Sequence, residues 1–258
     1  MSTLKDEITD EVKNLKDSKQ FKAASTEKIS QLIFKELEKE YRFEERNEDF
    51  IIDNFSNILK DYRDLDWEIL QRHLKPKYLE MFKHIVDKHS KDNDIKENEL
   101  LDFVLNDSVL FDYKYQLDQS LTQSYKSRSG KSFEYILQFL FDKIGYEYTA
   151  QNKNIEGKPD FLFPSIKEYI DNPSKCLIIG AKTKVRERYK QIVTEGNKDV
   201  AHFCFTLGED LQPKKIQNGK ALGLTFVVPK NIKEENNKED NLYSFEEFLL
   251  NKLSIYKK

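Results

Sequence analysis

The chain has 258 residues and a net charge of −3, and charged residues make up 34% of it. Its aromatic content of 12%, with only 8 glycines and 6 prolines, excludes a disordered chain or one dominated by long structureless loops. No stretch approaches the roughly 18 consecutive apolar residues of a membrane helix, and the N-terminus lacks an apolar signal core. We therefore expect a soluble, cytoplasmic protein with one large domain, or a catalytic domain carrying a smaller helical one.

The two cysteines, Cys176 and Cys204, each lie in an apolar run. Such positions are typical of buried core thiols, which we expect here in preference to a disulfide. The four histidines show no spacing that would form a zinc site with these cysteines. Neither residue type therefore indicates a structural metal.

The N-terminal part of the chain, residues 1 to about 120, has the apolar spacing of helices. Helices are predicted over about 50–62, 67–73, 78–89 and 99–110. A break is expected near Pro76, because proline lacks the N–H that a helix interior needs. This part predicts a helical N-terminal region.

The pattern changes near Ser124, where small and basic residues precede an amphipathic helix at 133–144. Strand-like apolar runs then follow at 146–149, 160–163, 176–181, 201–207 and 222–228. One helix, about 185–195, lies between the third and fourth runs, a polar loop is expected at 231–241, and a last helix begins at Ser244. The sequence predicts an α/β (α+β) fold, with a mixed central sheet flanked by helices.

Three residues in this half carry candidate chemistry. Asp160 stands at the start of one apolar strand, Lys182 ends the next, and Glu195 follows 13 positions later on the predicted helix. Taken singly, each has an ordinary structural interpretation: a turn, a solvated strand end and the wet face of a helix. Together they are better explained by a site, because adjacent strand ends can bring the acid and the lysine together.

Phosphodiester hydrolysis requires this set of groups. Two carboxylates can hold Mg²⁺, which prefers oxygen ligands, and the ion activates a bound water and polarises the phosphate. A lysine can orient that water or stabilise the developing negative charge. Glu134, on the amphipathic helix, is a candidate to bind a second metal ion or to orient the ligands of the first.

The pattern Pro159-Asp160 followed by Lys182 resembles the PD-(D/E)XK nuclease superfamily. That superfamily usually has an acid two residues before the lysine, where this chain has Gly180. One branch moves the acid to the next helix, and Glu195 fits this permuted form. The branch comprises Type II restriction endonucleases for CCGG-related sites, among them SsoII, EcoRII, PspGI and NgoMIV. The resemblance is good over about 120–210 and weak before it, and it implies a restriction-endonuclease-like fold.

Arg186, Glu187 and Arg188 open the predicted helix beside this site. Arginine pairs with guanine O6 and N7, and glutamate accepts from cytosine N4, so the triplet can read consecutive C·G pairs. A charged helix start is the ordinary alternative. The resemblance to SsoII-type enzymes implies that the triplet reads the CC·GG pairs.

The resemblance also implies that the central nucleotide of the DNA site is flipped out of the duplex into a pocket. Arg63 and Trp67 are four residues apart, a spacing at which a guanidinium and an indole could sandwich a flipped base. The ordinary alternative is a core tryptophan beside a surface arginine. Gln123, 11 residues before Glu134, is expected to contact the minor groove near the central pair.

These observations predict a homodimeric Type II restriction endonuclease that binds double-stranded DNA and cuts CCNGG or CCWGG with Mg²⁺. Residues 1–120 are expected to serve dimerisation, DNA contacts and the central-base pocket, and residues 121–258 to form the catalytic core. Three alternatives remain open: a repair or structure-specific nuclease of the same superfamily, a non-catalytic DNA-binding protein, and a helical interaction protein. The central base preference, assembly beyond a dimer and the number of metal ions also remain open.

Overall fold

The computed structural model describes residues 3–151, 159–185, 192–193, 199–208 and 211–257. The chain divides into two compact units. One unit, Met1–Ile29 with Asp66–Ser129, is called here the helical unit. The other, Ser30–Leu65 with Gly130–Lys258, is called the sheet unit.

The N-terminal half is built from helices, as the sequence predicts. These are α1 (Leu4–Asp17), α2 (Thr26–Tyr41), α3 (Glu48–Asp53), α4 (Phe55–Asp92), α5 (Leu100–Asn106) and α6 (Ser108–Ile144), with 3₁₀ turns at Phe43–Glu45 and Glu97–Glu99. A capping box formed by Thr3 and Asp6 begins α1. The core of the helical unit is apolar: Ile8, Val12, Phe21, Tyr78, Met81, Ile85, Val86, Leu110, Tyr113 and Leu117. Each such side chain contributes roughly 1.5–3 kcal/mol by its burial.

The predicted break at Pro76 is wrong. Helix α4 runs without interruption from Phe55 to Asp92, with Pro76 inside it. Proline costs the helix one hydrogen bond, but Leu74 and Tyr78 on either side of it are both buried. The apolar burial on both sides offsets the local cost, so the three predicted helices between 50 and 89 largely merge into one.

The change of composition at Ser124 does not end a helix either. Helix α6 is continuous across it, because the polar side chains there find partners within the helical unit. The buried hydroxyls of Ser124 and Tyr78 share a hydrogen bond of 2.9 Å, and the Arg128 guanidinium donates to the carbonyl of Ala24. Satisfied polar groups of this kind can be buried inside a helix at little cost.

The sheet unit contains one six-stranded sheet whose strands follow chain order. They are β1 (Thr149–Ala150), β2 (Phe161–Phe163), β3 (Leu177–Lys182), β4 (Ala201–Thr206), β5 (Leu224–Val228) and β6 (Leu242–Ser244). The first three strands pair antiparallel, and β3 to β6 pair parallel. The predicted α/β fold with a mixed sheet is therefore confirmed.

Alternate residues of a strand point to opposite faces of the sheet, and both faces of this sheet are covered. On one face the ring of Phe141, from α6, lies 5.3 Å from Phe161 and 5.4 Å from Phe163. On the other face Leu162 and Ile178 belong to a second buried cluster. The sheet is thus a rigid platform for whatever side chains project from its strand ends.

Among the described residues, the sheet unit has four further short α-helices, three of which were not predicted. They are α7 (Ile166–Asp171), α8 (Pro213–Ala221), α9 (Lys230–Glu235) and α10 (Phe245–Phe248). The predicted start at Ser244 is confirmed, since its hydroxyl forms a capping box with Glu247. Strand β6 and helix α9 lie within or beside the predicted polar loop, and they are too short for a hydrophobic period to reveal them.

Cys176 and Cys204 are free and buried, as expected of core thiols. Over the part of the chain that the structure describes, no helix has the length and apolar character needed to cross a membrane.

Candidate active site

The antiparallel pairing of β2 with β3 brings Asp160 to Lys182. Phe161 lies opposite Ile179, so the residue before it, Asp160, falls opposite Gly180. Side chains two positions apart on a strand share a face, which places Asp160 on the same face as Lys182. The predicted proximity of the strand-start acid and the strand-end lysine is therefore found in the structure.

The Asp160 carboxylate is held by two donors from the end of β3. Its Oδ2 accepts from the backbone N–H of Ala181 at 2.7 Å and from the Lys182 ammonium at 2.9 Å. The side chain of Asp160 is 18% exposed and that of Lys182 is 32% exposed, so the pair is partly screened from solvent but still accessible to a substrate. A backbone donor has no rotamer to change, and the position of this oxygen is consequently set by the sheet itself.

A side chain at Gly180, where the superfamily usually has an acid, would crowd Ile192. A Cβ atom added there would lie 2.5 Å from Cδ1 and 2.7 Å from Cγ1 of Ile192. Such approaches are well inside van der Waals contact. The Ile192 side chain would therefore have to shift to admit the usual acid at position 180.

The predicted acid Glu134 is among the described residues. It lies on α6, and its side chain is 17% exposed. Burial raises the pKa of the Glu134 carboxyl above its ordinary value, and the negative charge of Asp160 raises it further. The two acids are therefore close enough to repel each other.

Two donors hold the Glu134 carboxylate. The Lys131 ammonium donates to Oε2 at 3.1 Å from one turn earlier on α6. The side-chain amide of Gln151, the residue after β1, donates to the same oxygen. Nothing in the sequence pattern singled out Gln151, because the two residues meet only when the sheet packs on the helix.

Several predicted site residues lie outside the described residues: Glu195, Arg186, Glu187 and Arg188. Within the described ranges, no group of three or more histidine, cysteine, aspartate or glutamate side chains forms a metal site. Of the predicted acids, Asp160 and Glu134 are described, and the charge of Asp160 raises the pKa of the Glu134 carboxyl.

The residues predicted to handle the centre of the DNA site all lie on helices. Gln123 is exposed on α6. Arg63, on α4, makes an ion pair of 3.3 Å with Asp64 and belongs to the sheet unit. Trp67, in the helical unit, is 55% exposed, and its ring lies 5.3 Å from that of Tyr125. The interpretation of Trp67 as an ordinary core residue is therefore wrong.

A mixed sheet with an acid at the start of one strand and a lysine at the end of its antiparallel neighbour is typical of the restriction-endonuclease-like class of fold. The structure resembles two solved enzymes of this class. It matches metal-depleted Ecl18kI in complex with uncleaved DNA with a TM-score of 0.77 and 22% identity, over 97% of this chain and 83% of the other. It matches PspGI in its substrate DNA complex with a TM-score of 0.60 and 18% identity, over 87% and 90%.

The particular family follows from the sequence comparison. Residues 85–249 match the EcoRII C-terminal family, and the chain belongs to that family. It is 25% identical to the Type II restriction enzyme SsoII of Shigella sonnei, over 84% of this chain and 74% of that enzyme. It is 36% identical to the Type II restriction enzyme EcoRII of Escherichia coli, over 45% of this chain and 30% of that enzyme. The prediction of a Type II restriction endonuclease of this branch is confirmed.

Proposed function

We propose that this restriction endonuclease makes Mg²⁺-dependent double-strand cuts at CCNGG, or at the subset CCWGG, and that it acts as a homodimer. The observation that carries the proposal is the contact of 2.9 Å between Asp160 and Lys182 at adjoining strand ends. Glu134 adds a second, partly buried carboxylate near the first. A location in the cytoplasm belongs to the same proposal.

The donor set fits Mg²⁺. The ion prefers carboxylate oxygens, and each acid has one oxygen to offer: among the described residues, no donor reaches Oδ1 of Asp160 or Oε1 of Glu134. The charge of Asp160, which raises the pKa of the Glu134 carboxyl, is a second indication, since a divalent cation between like charges relieves their repulsion. We propose Asp160, Glu134 and Glu195 as the ligands. When bound, the ion polarises the phosphate and lowers the pKa of a coordinated water.

The other steps belong to the chain itself. The Lys182 ammonium, fixed by Asp160, orients the attacking water and stabilises the negative charge that develops on the phosphate. The Ala181 N–H holds Oδ2 of Asp160 in place, so that the lysine is presented to the DNA from a rigid strand end. Glu134 supports this arrangement from the neighbouring helix.

Base recognition is assigned to Arg186, Glu187 and Arg188, on the strength of their chemistry. Two arginines and a glutamate match the donor and acceptor pattern of consecutive C·G pairs in the major groove. A near-palindromic site then requires two copies of the chain, each reading one half-site and cutting one strand. Residues 1–120 are proposed to provide the dimer contacts and the central-base pocket.

The central nucleotide is proposed to flip out and stack on Trp67, with Arg63 on its other side and Gln123 near the gap it leaves. The exposed indole supports this role, because an aromatic ring left in solvent has surface to offer to a base. With 2-aminopurine at the central position, Trp67→Ala should raise the fluorescence of the bound complex above that of wild type, because stacking on the indole quenches the flipped base. The matched control is Leu79→Ala, another exposed apolar side chain on α4. Equal signals from both variants would contradict the pocket.

The test of the main proposal is digestion of a plasmid of known sequence with Mg²⁺, followed by mapping of the ends. We expect discrete double-strand cuts at CCNGG or CCWGG and none with EDTA. Lys182→Ala should abolish cutting while DNA binding, measured by gel shift in Ca²⁺, stays within about twofold of wild type. Random nicking would contradict a sequence-reading enzyme, and absence of cutting with intact binding would favour a non-catalytic DNA-binding protein.

A further inference from the structure

Gln151 contacts both of the segments that carry the described acids. Its backbone N–H donates to the carbonyl of Asp160 at 3.0 Å, which extends the pairing of β1 with β2 by one residue. Its side-chain amide donates to Oε2 of Glu134. One residue thus joins the backbone of the strand-borne acid to the carboxylate of the helix-borne acid.

The backbone of Gln151 is in an uncommon conformation, with φ of +50°. Residues with a Cβ seldom occupy this left-handed region, which glycine adopts freely. A glycine here would keep the turn after β1, but it could not reach Glu134. The presence of a long amide side chain at such a position indicates that the side chain has a use beyond the turn.

The other donor to Glu134, Lys131, cannot tie the carboxylate to the sheet. Lys131 lies on α6 together with Glu134, so its ammonium moves with the acid it contacts. Among the described residues, Gln151 is the donor that reaches the Glu134 carboxylate from the sheet. The rotamer of Glu134 relative to Asp160 therefore depends on the Gln151 amide.

We propose that Gln151 is a positioning residue for DNA cleavage: it holds the Glu134 carboxylate in register with Asp160, and so sets the spacing of the two acids. This inference rests on the proposed function. The Gln151 amide contacts the Glu134 carboxylate, and its effect on cleavage is proposed to act through that acid. Correct placement of reacting groups is worth a large factor in rate, since an error of about 1 Å can cost about 100-fold.

Two variants separate this role from a role in folding. Gln151→Met keeps the length of the side chain and removes its donor, whereas Gln151→Gly removes the side chain and relaxes the backbone. Both should lower the single-turnover cleavage rate about 10- to 100-fold at saturating Mg²⁺ and should raise the Mg²⁺ concentration for half-maximal rate. DNA binding in Ca²⁺ should stay within about twofold of wild type. Thermal unfolding should show Gln151→Gly to be at least as stable as Gln151→Met.

A double-mutant cycle with Glu134→Ala tests the route of the effect. If Gln151 acts through Glu134, Gln151→Met should change the rate by less than about twofold in the Glu134→Ala background, because the group it positions is gone. A merely structural residue would instead lower the rate by the same factor in both backgrounds.

The outcomes also separate this proposal from the one on which it rests. Wild type that cuts at mapped sites while Gln151→Gly cuts at the same rate would overturn the positioning role and leave the nuclease intact. Additive effects in the cycle would overturn it too. Absence of cutting by wild type would defeat the proposed function, and the inference would fall with it.

Discussion

The two halves of the candidate site are held in different ways. Asp160 receives a backbone N–H and an ammonium from the end of β3, within a sheet that is buried on both faces. Glu134 stands on a helix and receives its hydrogen bonds from two side chains, Lys131 and Gln151. The strand-borne half is therefore fixed by backbone geometry, and the helix-borne half by rotamers.

This difference predicts a hierarchy of effects. Substitutions that alter the strand ends change groups that nothing else can replace. A substitution of Lys131 or Gln151 removes one of the two adjustable contacts of Glu134, and the other donor keeps part of the geometry. The following changes test that order, and a reversal of it would show that the helix-borne acid is the more important one.

The largest effect is expected from Asp160→Asn. The amide keeps the size of the side chain but loses the charge that fixes Lys182 and provides a metal ligand. The single-turnover cleavage rate should fall about 1000-fold, measured with a defined duplex and saturating Mg²⁺. Asp171→Asn, an exposed aspartate at the end of α7, is the control and should cut normally. Retention of more than about a tenth of the activity by Asp160→Asn would exclude Asp160 from the centre of the site.

A smaller effect is expected from Gly180→Ala. The new methyl group meets Ile192 at 2.5 Å and displaces it, which should destabilise the fold by about 1–3 kcal/mol and lower the cleavage rate about 100-fold. Chemical denaturation and single-turnover kinetics measure the two effects.

The controls for Gly180→Ala come from the chain itself. Gly130→Ala is the matched change, because a Cβ there has no neighbour within 4 Å. The added substitution Ile192→Ala makes room for the methyl group and should recover a large part of the rate. If the double variant is no better than Gly180→Ala, the packing of Ile192 on β3 is not what matters.

The smallest effect is expected from Lys131→Met. The substitution removes the donor that Glu134 has on its own helix, and Gln151 continues to hold the carboxylate from the sheet. The rate should fall only about threefold, which is typical of a partly exposed ion pair. Lys143 lies on the same helix α6 and pairs with Glu44 of the 3₁₀ turn. Lys143→Met should leave the rate unchanged. A loss as large as that of Gln151→Met would show that the two donors are equivalent.

The strand-borne half of the site is predictable from the sequence, whereas the contact that holds the helix-borne half is not. Asp160 and Lys182 were predictable because each ends an apolar run, and antiparallel strand ends meet. The contact between Glu134 and Gln151 joins residues 17 positions apart in different kinds of element. No spacing rule connects such residues, since their meeting depends on how the sheet packs on α6.

The helices also have a predictable and an unpredictable part: their presence follows from the sequence, and their ends do not. Their apolar periods predict that the N-terminal half is helical, but the same patterns also predict helix ends at Pro76 and at the run from Ser124. Whether a helix continues through such residues depends on whether burial and hydrogen bonds elsewhere offset the local cost. The Leu74 and Tyr78 side chains and the hydroxyl of Ser124 provide that compensation, and only the folded chain shows it.

The sequence by itself determined the mixed α/β architecture, the nuclease branch and the pair of Asp160 and Lys182. The architecture and the pair depend on local order along the chain, namely hydrophobic periods and strand ends, whereas the branch came from the resemblance to a known family. The tertiary structure decided that Ile192 lies where a side chain at position 180 would begin, and which side chains hold Glu134. Contacts of this kind arise from the packing of elements remote in sequence, which residue order alone does not specify.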